Sequence, residues 1–124
     1  MDILVGDKNT ISKWAIHGYN KKDKIGHIEV YTREATDANH YMSFFDGENE
    51  ELYVSWGRLY AVPQGIKPIH YLIDIYQKGA EHFIKDVDGD LLFFVIDKDG
   101  FKSVITPRIG VIPIYYRPYL GGGS

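Results

Sequence analysis

Leu91-Leu92-Phe93-Phe94-Val95-Ile96 is the stretch that decides the fold, because it is an unbroken run of six apolar residues. A continuous apolar run of this length is typical of a strand that is covered on both faces. We therefore predict a central strand here. The next residues, 97–100, read Asp-Lys-Asp-Gly, the composition of a type I turn followed by a left-handed glycine. Residues 101–106 should then return antiparallel to the first strand.

The segment before this strand predicts an amphipathic helix from Pro68 to Lys85. Pro68 suits the first turn of a helix, where its missing N–H is not needed. Gly79 lies inside the predicted helix, where it costs about 1 kcal/mol relative to alanine. At about 100° per residue, the apolar side chains collect on one arc of the helical wheel. They are Ile69, Leu72, Ile73, Tyr76, Ala80, Phe83 and Ile84.

Two alternating stretches, residues 14–19 and 25–33, predict a hairpin around a polar loop at residues 20–24. Side chains alternate between the two faces of a strand, so the apolar residues of both strands must share one face. This requirement decides the predicted register. It pairs Trp14 with Val30 and Ile16 with Ile28, and it sets His17 opposite His27.

Four further segments complete the secondary structure. Residues 2–5 are predicted to form a strand, and residues 36–45 a short helix with Thr36 as its N-cap. Residues 48–62 fit either a helix or a strand, and their aromatic and β-branched side chains favour the strand. Residues 109–112 lie in a proline-punctuated segment and could form a short edge strand.

Together these elements predict a single α+β domain over residues 1–120, an antiparallel sheet with one long and one short helix packed on it. The chain has 124 residues, 44% of them hydrophobic, which is enough for a core without disulfide bonds. Residues 121–124 read Gly-Gly-Gly-Ser, the composition of a flexible linker of the kind that protein expression leaves behind.

The composition also excludes several classes of function. The chain has no cysteine, which excludes thiolate metal sites, iron–sulfur ligation and a cysteine nucleophile. Its 17 acidic residues outnumber 14 lysines and arginines, so no positive field favours nucleic acid as a direct partner. No apolar run is long enough to cross a bilayer, and the first residues do not resemble a signal peptide. We therefore expect a cytoplasmic protein without a membrane partner, and nothing in the sequence predicts a cofactor.

The predicted hairpin register places His17, His27 and Glu29 on one face. Two imidazoles and one carboxylate can bind a divalent cation or exchange protons. The alternative is that this face is the solvent side of the hairpin, where polar residues belong. Residues 26–31 also resemble the histidine strand of papain-like peptidoglycan amidases of the CHAP type, in which a histidine after a glycine activates a cysteine. Because this chain has no cysteine, the resemblance does not transfer that activity.

Two groups of residues suggest a binding surface. The first is a second stripe on the predicted long helix, formed by Tyr71, Ile75 and His82. This stripe either contacts a partner or supports another layer of the same fold. The second group combines tyrosine with arginine, the residue types that dominate interface hot spots. It consists of Arg108, Tyr115, Tyr116, Arg117 and Tyr119.

These observations favour a non-enzymatic protein-binding module, an inhibitor or antagonist of the immunity or phage counter-defence type that occupies a partner surface. Acidic segments at residues 46–51 and 86–99 suit a basic partner, such as a nuclease or another nucleic-acid-binding protein. One alternative is a protein that binds a nucleotide or anion, or a metal-assisted hydrolase that uses the His17, His27 and Glu29 face. Another is a homo-oligomer assembled through an exposed strand and the tyrosine-rich tail.

Overall fold

The computed structural model describes residues 3–9, 18–33 and 40–107 of the chain. Within these residues, seven strands form two antiparallel sheets, with the orders β1-β3-β2 and β4-β5-β6-β7, and two helices lie between β5 and β6. The bounds are β1 Ile3–Asp7, β2 Tyr19–Ile25, β3 Ile28–Arg33, β4 His40–Asp46, β5 Glu51–Leu59, α1 Pro68–Lys78, α2 Ala80–Asp86, β6 Gly89–Asp97 and β7 Gly100–Ile105.

The four-stranded sheet is the middle layer of three, and β6 confirms the predicted central strand. It pairs with β5 on one side and β7 on the other, and residues 91–96 are all buried. Alternate side chains enter two separate cores because a strand presents successive residues to opposite faces. Leu91, Phe93 and Val95 join the core beneath the helices, and Leu92, Phe94 and Ile96 join the core beneath the three-stranded sheet.

Aromatic rings dominate the core on the helix side. Phe93 lies 4.9 Å from Phe83 of α2, 5.7 Å from Tyr76 of α1 and 6.2 Å from Tyr53 of β5, measured between ring centroids. Phe83 and Phe93 are both fully buried. Offset and tilted ring pairs at these distances add about 0.5–1.5 kcal/mol each beyond area burial. These contacts attach both helices to the centre of the sheet.

The core on the opposite face joins the two sheets. Ile3, Ile25 and Val30 of the three-stranded sheet pack against residues of β5 and β6, including the buried Trp56. A hydrogen bond also connects these layers, because the Tyr41 hydroxyl of β4 donates to the carboxylate of Asp23 in β2. The domain is therefore α+β, as predicted, but it contains two antiparallel sheets instead of one.

The predicted long helix is interrupted at Gly79. This residue has φ 130° and ψ 147°, an extended conformation that L-residues with a side chain rarely adopt. Because α2 starts again after this break, the arc predicted for a continuous helix does not extend through it. Ile84 is 51% exposed instead of buried, whereas Ile75, which was expected outside the arc, is 5% exposed and lies in the core.

The predicted hairpin has different strands from those expected. Residues 20–24, predicted as a loop, lie in β2, and the turn into β3 contains Gly26 and His27. Gly26 has φ 58°, which suits the first central position of a type II′ turn. Val30 pairs with Asp23 and with Val5 of β1, so the predicted pairing of Val30 with Trp14 is wrong.

The predicted helix over residues 36–45 is also wrong where the structure describes it, because residues 40–46 form β4. All seven residues of β4 pair with β5 in unbroken register. Pairing with a neighbouring strand outweighs the local pattern that suggested a helix. The predicted strands at residues 2–5, 48–62 and 101–106 are confirmed as β1, β5 and β7. The predicted edge strand at residues 109–112 lies outside the described residues.

Candidate protein-binding surface at the acidic end of the central sheet

The two hairpin turns of the central sheet meet at one end of it. Asp46 pairs with Glu51, Glu51 with Asp97, and Asp97 with Gly100, so these pairs form one row across the four strands. The turn between β4 and β5 and the turn between β6 and β7 therefore project from the same end of the sheet. We call this region the acidic end, because it has six carboxylates and two lysines. They are Asp46, Glu48, Glu50, Glu51, Asp97 and Asp99, with Lys98 and Lys102.

Side-chain hydrogen bonds hold both turns in place. The Asp46 carboxylate accepts from the backbone N–H groups of Glu48 at 3.0 Å and Asn49 at 3.3 Å, and from the Asn49 side-chain amide at 2.8 Å. These bonds, above all those from Asn49, lower the pKa of Asp46. In the other turn, Asp97 accepts from the N–H of Asp99 at 2.8 Å. Both turns therefore present their carboxylates on a backbone that side-chain hydrogen bonds hold in place.

Glu50 has an unusual backbone conformation for its residue type. Among the described residues it is the one non-glycine with positive φ, 51°, in the left-handed region where glycine and asparagine are preferred. Its carboxylate lies 3.6 Å from the Lys98 ammonium of the neighbouring turn, and both side chains are more than 60% exposed. This pair connects the two turns at the surface, where an ion pair contributes little to stability.

Glu51 is different, because its carboxylate is nearly buried between two donors. It accepts a hydrogen bond of 3.0 Å from the Tyr53 hydroxyl and one from the Lys102 ammonium. Burial and the bond to Glu51 raise the pKa of Tyr53 to about 12, and the same carboxylate raises the pKa of Lys102. Glu51 therefore anchors the base of the acidic end, and the exposed charges project beyond it.

The acidic segment predicted over residues 86–99 does not form one surface. It includes the whole of β6, whose nine residues span about 27 Å at 3.4 Å per residue. Asp97 and Asp99 lie at the acidic end, whereas Asp90 lies at the far end of the strand. There it accepts a hydrogen bond of 2.6 Å from the Tyr60 hydroxyl. The two predicted acidic segments therefore converge only through their Asp46–Glu51 and Asp97–Asp99 parts.

The turn between β2 and β3 reaches the border of the acidic end. A methyl group on Gly26 would lie 3.0 Å from the carbonyl oxygen of Lys98, so the two backbones are in close contact. His27 follows Gly26 in this turn and is exposed. Glu29 lies further along β3, where its carboxylate accepts from the Tyr31 hydroxyl at 3.1 Å and lies 3.6 Å from the Lys21 ammonium.

The positions of His27 and Glu29 bear on the metal site that the sequence predicts for these two residues and His17. Glu29 already has two partners and is 8% exposed, and His27 lies in the turn and not within the strand. His17 lies outside the described residues, so the predicted trio stays a prediction. Among residues 3–9, 18–33 and 40–107, no group of three histidines or carboxylates is arranged to hold a metal ion.

The predicted stripe of Tyr71, Ile75 and His82 is corrected at its central member. Ile75 belongs to the buried core because α1 turns this residue towards the sheet. Tyr71 is half-buried, with its hydroxyl 3.5 Å from the backbone carbonyl oxygen of Asp86, and His82 lies 3.6 Å from the Asp86 carboxylate. The two outer members stay partly accessible, but they form no continuous apolar stripe. The predicted contact residues Arg108, Tyr115, Tyr116, Arg117 and Tyr119 lie outside the described residues.

Two exposed phenylalanines next to the acidic end were missed by the sequence interpretation. Phe44 is 38% exposed and Phe45 is 53% exposed, and both precede Asp46 in β4. The Phe44 ring lies 4.7 Å from the His70 ring of α1, which leaves Phe45 as the more accessible of the two. Their exposure could not be recognised while this segment was predicted to be a helix.

No protein-family model matches the sequence, and no match is found among curated proteins or solved structures. In the part of the chain that the structure describes, no helix has the length and apolar character needed to span a membrane.

Proposed function

We propose that this chain is a non-enzymatic protein-binding module that uses the acidic end to occupy the basic surface of a partner, as an inhibitor or antagonist does. The observation that carries the proposal is that two acidic turns lie side by side at one end of the sheet. Opposite charges at an interface accelerate association and exclude wrong partners. A nuclease or another nucleic-acid-binding protein has a surface of the required charge, and the proposal includes the cytoplasmic setting expected above.

The arrangement of the charges supports recognition over a purely solvating role. Glu48, Glu50 and Asp99 are exposed, whereas Asp46 and Asp97 hold the turns by accepting backbone hydrogen bonds. Charges on an ordered backbone lose less conformational entropy on binding than charges on a loop that becomes ordered only in the complex. The acidic end is therefore preorganised for a rigid partner.

The conformation of Glu50 supports the same proposal. A glutamate in the left-handed region costs of order 1 kcal/mol, and glycine would avoid that cost. Glu50→Gly should therefore stabilise the fold by about 0.5–1 kcal/mol while it removes one charge from the acidic end. Glu50→Gln keeps the backbone cost and removes only the charge. If both variants bind the partner more weakly and only Glu50→Gly is more stable, the Glu50 carboxylate serves recognition and not folding.

The decisive experiment compares two triple variants in affinity capture from the native host at low and high salt. The first variant neutralises the exposed carboxylates of the acidic end. The control neutralises three exposed carboxylates elsewhere, so the net charge changes equally. The first set is Glu48→Gln, Glu50→Gln and Asp99→Asn, and the control set is Asp74→Asn, Glu81→Gln and Asp88→Asn.

We expect the wild type and the control variant to retain the same basic protein at low salt, and the first variant to lose it. With the purified partner, association should accelerate as the ionic strength falls, because exposed charges are screened over about 10 Å at 0.1 M salt. The acidic-end variant should lose most of this salt dependence. Equal retention by both triple variants would show that another surface carries the function.

A further inference from the structure

The described sheets have four edge strands, and two of them are protected against pairing with another chain. In β2 the register shifts between Lys21 and Asp23, so Lys22 is a bulged residue without a partner in β3. In β7 the register shifts so that Lys102 is bulged in the same way. Bulges and edge lysines are the usual devices that prevent edge-to-edge association. A third edge strand, β1, has only five residues, and none of them is exposed.

The fourth edge strand, β4, has none of these devices. Its seven residues pair with β5 without a register shift, and they include no lysine, arginine, proline or glycine. Among the described strands, β5 is the only pairing partner of β4. Phe45, near the end of β4, is 53% exposed. A long, regular and apolar edge of this kind is a template for another strand.

We propose that the β4 edge pairs with the β4 edge of a second copy of this chain, antiparallel and centred on Ser43. The two central sheets then join into one sheet of eight strands. Because the two-fold axis is perpendicular to the sheet, the helices of both copies lie on one face and the three-stranded sheets on the other. This proposal does not depend on the proposed function.

The sequence of β4 is complementary to itself in this register. Ser43 lies opposite Ser43 of the second copy, Tyr41 lies opposite Phe45, and Met42 lies opposite Phe44. Aromatic residues directly opposite one another stabilise antiparallel pairs, and methionine sulfur contacts aromatic rings favourably. The exposed surface of Phe45 is thereby covered by an aromatic residue of the other copy.

Charge selects the antiparallel arrangement over the parallel one. Each acidic end follows Asp46 directly, so parallel pairing would place two acidic ends side by side. Antiparallel pairing places them at opposite ends of the joined sheet, where repulsion is screened. The bulged lysines on β2 and β7 also oppose growth at those edges, so association closes at two copies instead of forming a fibre.

The first test measures the mass of the protein in solution over a range of concentrations. The wild type should sediment as a dimer that dissociates on dilution, and Phe45→Lys should remain a monomer at concentrations at which the wild type is dimeric. Ile84→Lys is the matched control, because Ile84 is 51% exposed on α2, away from β4. A wild type that is monomeric at every concentration would overturn the proposal. Binding of an extended peptide to the β4 edge would not rescue it, because the proposed occupant of that edge is a second copy of the chain.

The second test examines the register and uses the absence of native cysteine. Directly opposed residues of antiparallel strands have Cα atoms about 4.5–5.5 Å apart, within the span of a disulfide. Mild oxidation of Ser43→Cys should therefore give a cross-linked dimer, whereas Ser103→Cys, on the opposite edge of the same sheet, should remain monomeric. A dimer that Ser103→Cys cross-links as readily as Ser43→Cys would contradict pairing through β4.

Discussion

The two faces of the central sheet are covered by different structures. The helix side is closed by α1 and α2, whose apolar residues surround Phe93, while the other side is closed by a three-stranded sheet that contacts Phe94. A tyrosine–carboxylate hydrogen bond is found on each side: Tyr53 donates to Glu51 on the helix side, and Tyr41 donates to Asp23 between the sheets. Successive residues of β6 therefore pack against different structures, the helices on one face and the three-stranded sheet on the other.

The two faces of the central sheet also differ in how their aromatic contacts are distributed. Among the described residues, Phe93 has three aromatic neighbours from three different elements, whereas Phe94 has one, Phe101, at 6.1 Å. The helix side thus depends on a compact aromatic cluster. The sheet side depends on aliphatic contacts spread over several strands and on the Tyr41–Asp23 bond.

The largest effect should come from emptying the aromatic cluster. Phe93→Ala should destabilise the domain by about 4 kcal/mol, because a fully buried ring leaves a cavity that its neighbours cannot fill. Phe94→Ala should cost less, about 3 kcal/mol, because Phe94 is 7% exposed and has fewer ring contacts. Urea unfolding of both variants measures the difference. Equal losses would show that the two faces contribute alike.

Gly79→Ala tests the break between α1 and α2, the two helices that cover one face of the central sheet. Its backbone conformation, φ 130° and ψ 147°, is open almost only to glycine, so the variant should lose about 2 kcal/mol. Gln77→Ala, at an exposed position in α1, is the control and should change stability little. If Gly79→Ala is instead as stable as the wild type with increased helicity by circular dichroism, the break is not required for packing.

Tyr41→Phe tests the bond between the two sheets. It removes the hydroxyl that donates to Asp23, and we expect a loss of about 1–2 kcal/mol, because the carboxylate loses a partly buried donor. Asp23→Asn in the Tyr41→Phe background should then cost little more, since the two residues act together. Additive losses in this double-mutant cycle would contradict direct coupling.

The smallest effect is the alkaline pH dependence that the two tyrosines produce. Burial first, and then the adjacent Glu51 carboxylate, raises the pKa of Tyr53 from 10.0 to about 12; burial and the Asp23 carboxylate likewise raise the pKa of Tyr41. In the unfolded chain the tyrosine ionises near pH 10, while in the folded protein it stays protonated. Its contribution to the free energy of unfolding is therefore fully present below pH 10 and is lost as the pH rises towards 12.

The unfolding midpoint in urea, measured across this pH range, should therefore fall less steeply for Tyr53→Phe and for Tyr41→Phe than for the wild type. The double variant should show the shallowest slope. Unchanged slopes would mean that neither hydroxyl stays protonated to a higher pH in the folded state than in the unfolded chain.

Local patterns predicted the helix side of the fold better than the sheet side. Residues 91–96 and 68–85 have strong apolar signals, and they form β6 and the two helices, apart from the break at Gly79. The strand β2 is mostly polar, and its one buried residue, Ile25, gives no periodic signal. The strand β4 was mistaken for a helix because its pairing with β5, and not its own propensity, decides its conformation.

The candidate surface shows the same limit. The acidic turns were visible in the sequence, but their convergence depends on the strand order β4-β5-β6-β7, which no local pattern specifies. The exposure of Phe45 depends on β4 being an edge strand. Likewise, Ile75 lies in the core on the helix side, a contact that the helical wheel alone does not show.

Apolar periodicity and turn chemistry between near neighbours are enough to predict the fold class, the central strand and the turn at residues 97–100, and the acidic composition can be read directly from the sequence. Long-range pairing decides which turns meet, which edge strands have no protecting bulge or lysine, and which residues lie between the two sheets. These features depend on pairing between residues distant in the chain, whose free energy comes from contacts that exist only when all three layers are assembled.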